Sequence, residues 1–371
     1  MGNEMSHRRI PLVDIFKGFA MIMVVIVHAE QIIALPSGVD CIAKFGQMGC
    51  QIFFLMSGFT LCISNSDGGG ILISRIIKLI PAYWTMVIIN GILTFLSLWV
   101  LGANHFWTSE TFLDYIVNLL FLHGFIPSAN NNVVLGGWFI GTLVVFYAIF
   151  PTLFKLYKSV SVKIRWYLVP LVCIMLSVLT SSIIGYVDNS FAMRNNSFMY
   201  FSCINQLPVF ILGFVLYDIE VNTYKIKYPM LVGVLLLLCS FVLFYVKVPV
   251  LFSIIPVLFG VSVLFIFVGL RKCQINRDNL VVRCLMQFNK YSLHIYLTHS
   301  FVVFYVMMFV SKALNLNKIY GLGTIYEMVI YMLLTPMIVC LTYYVGVLYA
   351  KCVKLISPIY SPIIKVLTRL S

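Results

Sequence analysis

The sequence predicts an all-α fold: a polytopic integral membrane protein of about ten transmembrane helices, both termini cytoplasmic. Three observations carry this. Apolar stretches near spanning length follow one another ten times. Of the 371 residues, 61% are hydrophobic and only 10% charged, with a mean hydropathy of +1.01. The cations are also shared unevenly between alternate connecting segments. Soluble chains carry nearer a quarter charged residues and cannot absorb this much apolar surface.

The stretches fall at about 10–33, 44–63, 79–103, 135–156, 166–187, 199–217, 228–247, 249–270, 290–311 and 323–350. Each approaches the ~20 residues that cross a bilayer as a helix. The seventh and eighth are separated by Lys247-Val248-Pro249, where proline supports a tight reversal because it removes a backbone donor. Numbering the segments from a cytoplasmic start puts 20 of the 25 lysines and arginines inside. Lys44, Arg194, Lys247, Lys312 and Lys318 remain outside. That asymmetry is the positive-inside pattern and fixes the predicted orientation.

The net charge of +13 is therefore a topology signal. With no basic arm or basic helix, it does not indicate a nucleic-acid partner. The ten cysteines form no C-x-x-C pair and mostly lie within apolar runs, where they act as small hydrophobes. Cys41 and Cys50 share an expected outer loop, but a bridge between them is not expected. Lys17 within the first run, and Glu30-Gln31 after it, favour a retained first helix over a cleaved signal peptide.

The longest outer gap, about Gly102 to Leu135, holds His105, Trp107, Glu110, Asp114, His123 and Asn130–Asn132 but no lysine or arginine. Thr111 to Phe121 reads as a short helix in the interface. The gap's amides, aromatics and carboxylates fit either a carbohydrate-contacting surface or a solvated connector. There is no internal repeat, so residues 1–371 form a single domain, and the last twenty residues read as a short cytoplasmic tail.

The first stretch stands out because it carries Asp14, Lys17, His28 and, just beyond, Glu30. Ionisable side chains on a spanning helix are expensive and usually face an interior cavity. Lys17 and His28 are eleven residues apart, about three turns plus 20°, so they share one face about 16 Å apart along the axis. Asp14 lies one turn before Lys17, within pairing distance. A cation below and an imidazole above make one wall of a slot for a long, anionic-ended substrate. The competing reading has Lys17 reach the inner interface while His28 and Glu30 cap the outer end.

Other segments carry weaker signals. Arg75 and Lys78 share a helical face before Pro81, Tyr83 and Trp84. They suit either phosphate binding through charge-assisted bonds or ordinary membrane anchoring. Ser57-Gly58 allows close approach by a ligand or, more commonly, by a neighbouring helix. His294 and His299 are five residues apart, about 140° around a helix, so they do not face one site together. No P-loop, H-E-x-x-H, G-x-S-x-G or metal-type Cys/His spacing occurs in a useful context, so no metal is expected.

Taken together, these pieces resemble the acyltransferase 3 family of membrane O-acyltransferases, which acylate sugars of bacterial surface polysaccharides. Asp14, Lys17, Gly18 and His28 match the family's first-helix hallmark, with lysine where arginine is more usual. Phe53-Phe54-Leu55-Met56-Ser57-Gly58-Phe59 matches the second-helix pattern. Arg75, Lys78, Pro81, Tyr83 and Trp84 match the basic pair that precedes Pro-x-Tyr-Trp. Trp138 with Phe146, Tyr147 and Pro151 resembles the fourth helix, and Leu207, Pro208, Phe210 and Gly213 the sixth. Tyr291 to His299, including Tyr296, resembles the ninth. The chain departs from the pattern at Leu143, Val144, Gln206 and Val209, where acidic or basic residues are common, and at His294, where a small residue is.

The resemblance implies acyl transfer from acetyl-CoA, or another acyl-CoA, to a sugar hydroxyl. In that reading His28 is catalytic, as general base or nucleophile. Lys17, Arg75 and Lys78 hold the donor's phosphates. Asp14, Glu30, Ser57, Gly58, Tyr83, Trp84, Trp138, Tyr147, Tyr296 and His299 support the site. Glu30 reaches the imidazole only if the helix end unwinds, since residues two apart do not face each other. The acceptor is a glycan or lipid-linked oligosaccharide, foremost O-antigen, and the setting is the bacterial inner membrane. Membrane lipid is a further partner, and a homo-oligomer is compatible with the sequence. The rival reading is a polysaccharide transporter or flippase, but an anionic glycan's path calls for cations in spans two to eight, which hold almost none. A glycan polymerase calls for basic residues in the large outer gap.

Overall fold

A computed structural model describes residues 10–31, 37–64, 70–101, 111–126, 129–187, 198–222, 224–246, 254–306, 312 and 324–369. The Lys247–Pro249 reversal, Arg8, Arg9, Arg194 and Lys318, and His105, Trp107 and Glu110 of the outer gap lie outside these residues. Among the described residues the structure is helical, with no strand.

A helix lies over each of the ten apolar stretches. In chain order the helices are α1 Pro11–Glu30, α2 Ser37–Lys44, α3 Gly49–Ser64, α4 Ile71–Leu101, α5 Phe112–Leu119, α6 Gly137–Ser159 and α7 Val162–Val187. They continue with α8 Phe198–Phe201, α9 Cys203–Val221, α10 Pro229–Val246, α11 Ile255–Leu270, α12 Leu280–Lys290, α13 Ser292–Phe301, α14 Thr324–Ile356 and α15 Ser361–Thr368. Among the described residues, seven segments are long and apolar enough to cross a membrane, while Ile255–Leu270 and Ser292–Phe304 are shorter apolar helices.

The chain forms two compact units. One comprises Arg9–Met56 and Ile226–Lys351. Here α1 lies against α12 at very short range: a Cβ on Gly18 would stand 1.9 Å from the Leu285 carbonyl oxygen. Only glycine permits that approach. The same contact is pinned by Asn289 Nδ2, which donates to Asp14 Oδ1 at 2.7 Å. An apolar cavity of about 550 Å³ opens beside α1, lined among others by Ile15, Phe19, Met23, Phe45, Phe241 and Phe259. Among the described residues no ionisable side chain borders it, which sets it apart from the histidines described below.

The other unit holds Ser57–Lys225 and Cys352–Ser371. Its core is a ladder of rings from α6 and α9: Phe146 stacks on Phe210 at 4.6 Å, and Phe150 and Phe154 each meet Phe214 edge-on at 5.5 Å. At one end of these helices a buried ionic group closes the packing. Asp218 of α9, fully buried, accepts from Arg165 of α7 at 2.6 Å, from Lys158 at 2.9 Å and from Tyr157 Oη at 2.8 Å. A buried charge needs such partners, and here one carboxylate receives three donors.

Two boundaries differ from the sequence expectation. α4 begins at Ile71, not near residue 79, and runs unbroken through Pro81. Membrane helices tolerate an internal proline where neighbouring helices and hydroxyl side chains support the turn. One turn further on, Thr85 donates to the Pro81 carbonyl at 2.6 Å and meets Tyr360 Oη at 2.9 Å, which fastens this part of α4 to the terminal segment. Tyr360 belongs to the expected tail, so residues after Cys352 pack as helix α15 and its lead-in instead of trailing free. Cys41 and Cys50 are buried free thiols.

Candidate active site

α1 is a continuous helix from Pro11 to Glu30. The spacing argument therefore holds, and Lys17 and His28 differ by about 20° around its axis. Both are half-buried. His28 Nδ1 lies 3.1 Å from Gln31 Oε1. In that pairing the amide oxygen accepts from Nδ1–H, the tautomer that leaves the Nε2 lone pair open. The His28 ring rests on the His299 ring of α13, centroids 4.7 Å apart and tilted by 47°, with Phe304 edge-on at 6.4 Å.

His299 is 1% exposed. Its Nδ1 donates to the Tyr296 carbonyl, again leaving Nε2 as an acceptor. Among the described residues that Nε2 has no hydrogen-bond partner. Tyr296 is itself buried, and its hydroxyl meets the Cys50 thiol. His294 points elsewhere: its ring sits 5.9 Å from Tyr349, as the five-residue spacing requires. Glu30 does not orient His28. It turns to Lys44 at 3.6 Å, and the orienting group is Gln31.

The remaining candidates belong to the other unit. A Cβ on Gly58 would stand 2.2 Å from the Phe210 carbonyl oxygen, so this glycine serves helix packing, and Ser57 is half-buried beside it. Arg75, half-buried, donates to Ser64 Oγ at 3.2 Å and holds its guanidinium 5.9 Å from the centroid of the Tyr147 ring. Lys78 is exposed. Arg75 is thus a cation pre-set by a hydroxyl and a ring, with further donors to offer an anion.

Tyr83 and Trp84 are spent on contacts within the fold. Tyr83 is 0% exposed and donates to Asn118 Oδ1 at 2.7 Å, while Trp84 Nε1 donates to the Leu119 carbonyl at 2.8 Å. Trp138 is buried and stacks on Phe201 at 4.7 Å.

The outer gap is largely occupied with its own structure. Thr111 and Asp114 form a capping box on α5, the short helix expected there. His123 Nε2 lies 3.0 Å from both Tyr83 Oη and the Gly137 carbonyl. Burial pushes its basicity down to about 4, against the opposing pull of the Gly137 carbonyl. Asn131 Oδ1 accepts from Gly136 N at 2.7 Å. These polar groups hold the fold, which favours the connector reading for the described part of the gap.

Sequence reasoning missed Gln31 and Asn289. Gln31 was within reach, three residues after His28 on the same face. Asn289 lies 275 residues from Asp14 and left no local trace. No group of three or more His, Cys, Asp or Glu able to hold a metal occurs among the described residues.

Helices of spanning character, with two imidazoles in contact among them, define a multi-pass membrane protein with a candidate chemical site. A family model described as an acyltransferase domain, Acyl_transf_3, matches residues 10–349. The chain belongs to that acyltransferase family, and the match supports membrane acyltransferase activity. Comparison with curated proteins finds no match, and comparison with solved structures finds none.

Proposed function

We propose that the protein is an O-acetyltransferase of the bacterial inner membrane. It moves an acetyl group from cytoplasmic acetyl-CoA to a hydroxyl of a cell-surface glycan, foremost O-antigen, on the periplasmic side. The observation that carries this is the placement of His28: its Nδ1 faces Gln31 Oε1 at 3.1 Å, a pairing that leaves the Nε2 lone pair open, about three turns along the same helix face as Lys17.

That lone pair suits the reaction. Acyl transfer forms a bond from the hydroxyl oxygen to the thioester carbonyl carbon and breaks the C–S bond. The hydroxyl proton ends on the coenzyme thiolate. An imidazole near neutrality can hold that proton or carry the acyl group between the two steps. The cations assigned to the donor's phosphates are Lys17, Arg75 and Lys78. Arg75 is the best prepared, because Ser64 and Tyr147 already restrict its guanidinium. The acceptor is a glycan or lipid-linked oligosaccharide.

His28→Ala tests the assignment. Surface-glycan acetylation, read by NMR of the isolated glycan, is expected to disappear while the protein stays inserted at normal abundance. Full acetylation in that variant would sink the proposal.

A further inference from the structure

We infer that His299 is a second catalytic base beside His28: it receives the acceptor hydroxyl's proton while His28 carries the acyl group. The inference rests on the acyl-transfer reading above. It starts from an imbalance in hydrogen bonding. His28 and His299 each place Nδ1 against an acceptor, the Gln31 side-chain oxygen and the Tyr296 carbonyl, and the tautomer that satisfies both contacts puts the proton on Nδ1. Two rings in contact at 4.7 Å therefore both offer Nε2 lone pairs, and among the described residues the His299 lone pair meets no donor. Neither ring can bond to the other while both are neutral. The pair lacks a proton donor, and a hydroxyl is the group that supplies one.

The division of labour follows from exposure. His28 is half-buried and lies on the helix that carries Lys17, so it is the ring a donor can reach. His299 is 1% exposed and held by its own helix, which suits a base more than a nucleophile. In the first step His28 Nε2 bonds to the thioester carbonyl carbon and the C–S bond breaks. Coenzyme leaves as thiolate, and His28 becomes an acyl-imidazolium. In the second step the hydroxyl oxygen bonds to that carbonyl carbon as its proton passes to His299 Nε2, and the C–N bond to His28 breaks. His299 then returns the proton, which neutralises the thiolate. One imidazole cannot perform both parts of the second step, because its Nε2 is acylated.

The test uses the full chain in membrane vesicles that contain the glycan, with radiolabelled acetyl-CoA. Hydroxylamine serves as a second acceptor that needs no base. His299→Asn can keep a donor near the Tyr296 carbonyl and removes the Nε2 lone pair. It is expected to lower acetyl transfer to glycan by about 100-fold. Hydroxylamine-driven release of coenzyme should stay within about threefold of the parent protein, and added imidazole should partly restore glycan transfer in His299→Ala. Glycan transfer within about threefold of the parent in His299→Asn would overturn the inference. So would an equal fall in both rates, which indicates a structural or donor-side role. His28→Ala is the separate control: hydroxylamine-driven release that survives in it above the rate of protein-free vesicles defeats the underlying acyl-transfer reading.

Discussion

His123 and His299 are both buried imidazoles with one ring nitrogen unpartnered among the described residues, yet their surroundings differ in kind. His123 sits in a short turn and spends Nε2 on Tyr83 and the Gly137 carbonyl, in a network that ties α4, α5 and α6 together. His299 spends Nδ1 on its own helix and turns its ring to a second imidazole. A lone nitrogen is therefore not a signature of chemistry by itself. The neighbour decides: a phenol and a peptide carbonyl make a strut, whereas another lone-pair imidazole makes a place for a proton.

The largest expected effect that sharpens this contrast comes from combining the two site histidines. The double variant His28→Ala, His299→Asn should lose glycan transfer by about 100-fold or more, and no more than His28→Ala alone, because groups acting as one unit are not additive. Multiplying losses in vesicle assays would mean the two rings act independently. Next, His123→Phe should cost about 1–3 kcal/mol of stability, since Tyr83 and the Gly137 carbonyl lose a buried partner. Thermal unfolding in detergent reads that change, and turnover per folded molecule should stay unchanged. Lost turnover without lost stability would erase the distinction.

The smallest effect is in the pH dependence of stability. His123 is held below its ordinary value, at about 4, so the unfolded state binds its proton first. Its contribution is complete above about pH 6.5 and is lost as pH falls toward 4. Unfolding measured across that window should show a slope that flattens in His123→Phe. An unchanged slope would place the titration elsewhere.

Much of the architecture was legible because lipid imposes length and composition on a spanning helix. The ten apolar stretches each coincide with a helix, and α5 lies within the Thr111 to Phe121 segment that read as a short helix. The start of α4 was only partly legible: the apolar stretch begins near residue 79, but the spacing already put Arg75 and Lys78 on one helical face, and they form its early turns. The packing of the terminal segment was not legible, since Tyr360 meets Thr85 across 275 positions. In the site, periodicity placed Lys17 and His28 on one face and separated His294 from His299. Periodicity says nothing about which helix lies opposite, so the contact between His28 and His299 needed coordinates. Glu30 misled for a related reason: its charge attracted attention, but the uncharged Gln31 had the right angle.

The ionic group around Asp218 has a consequence for biogenesis. Arg165 and Lys158 leave the ribosome well before the carboxylate that neutralises them, and both belong to the adjoining ends of α6 and α7. Until α9 follows, this hairpin carries two positive charges without their anion, and its ends are better hydrated than sealed. Docking of α9 onto this hairpin thus waits for synthesis to reach Asp218, which makes the carboxylate a latch for these three helices.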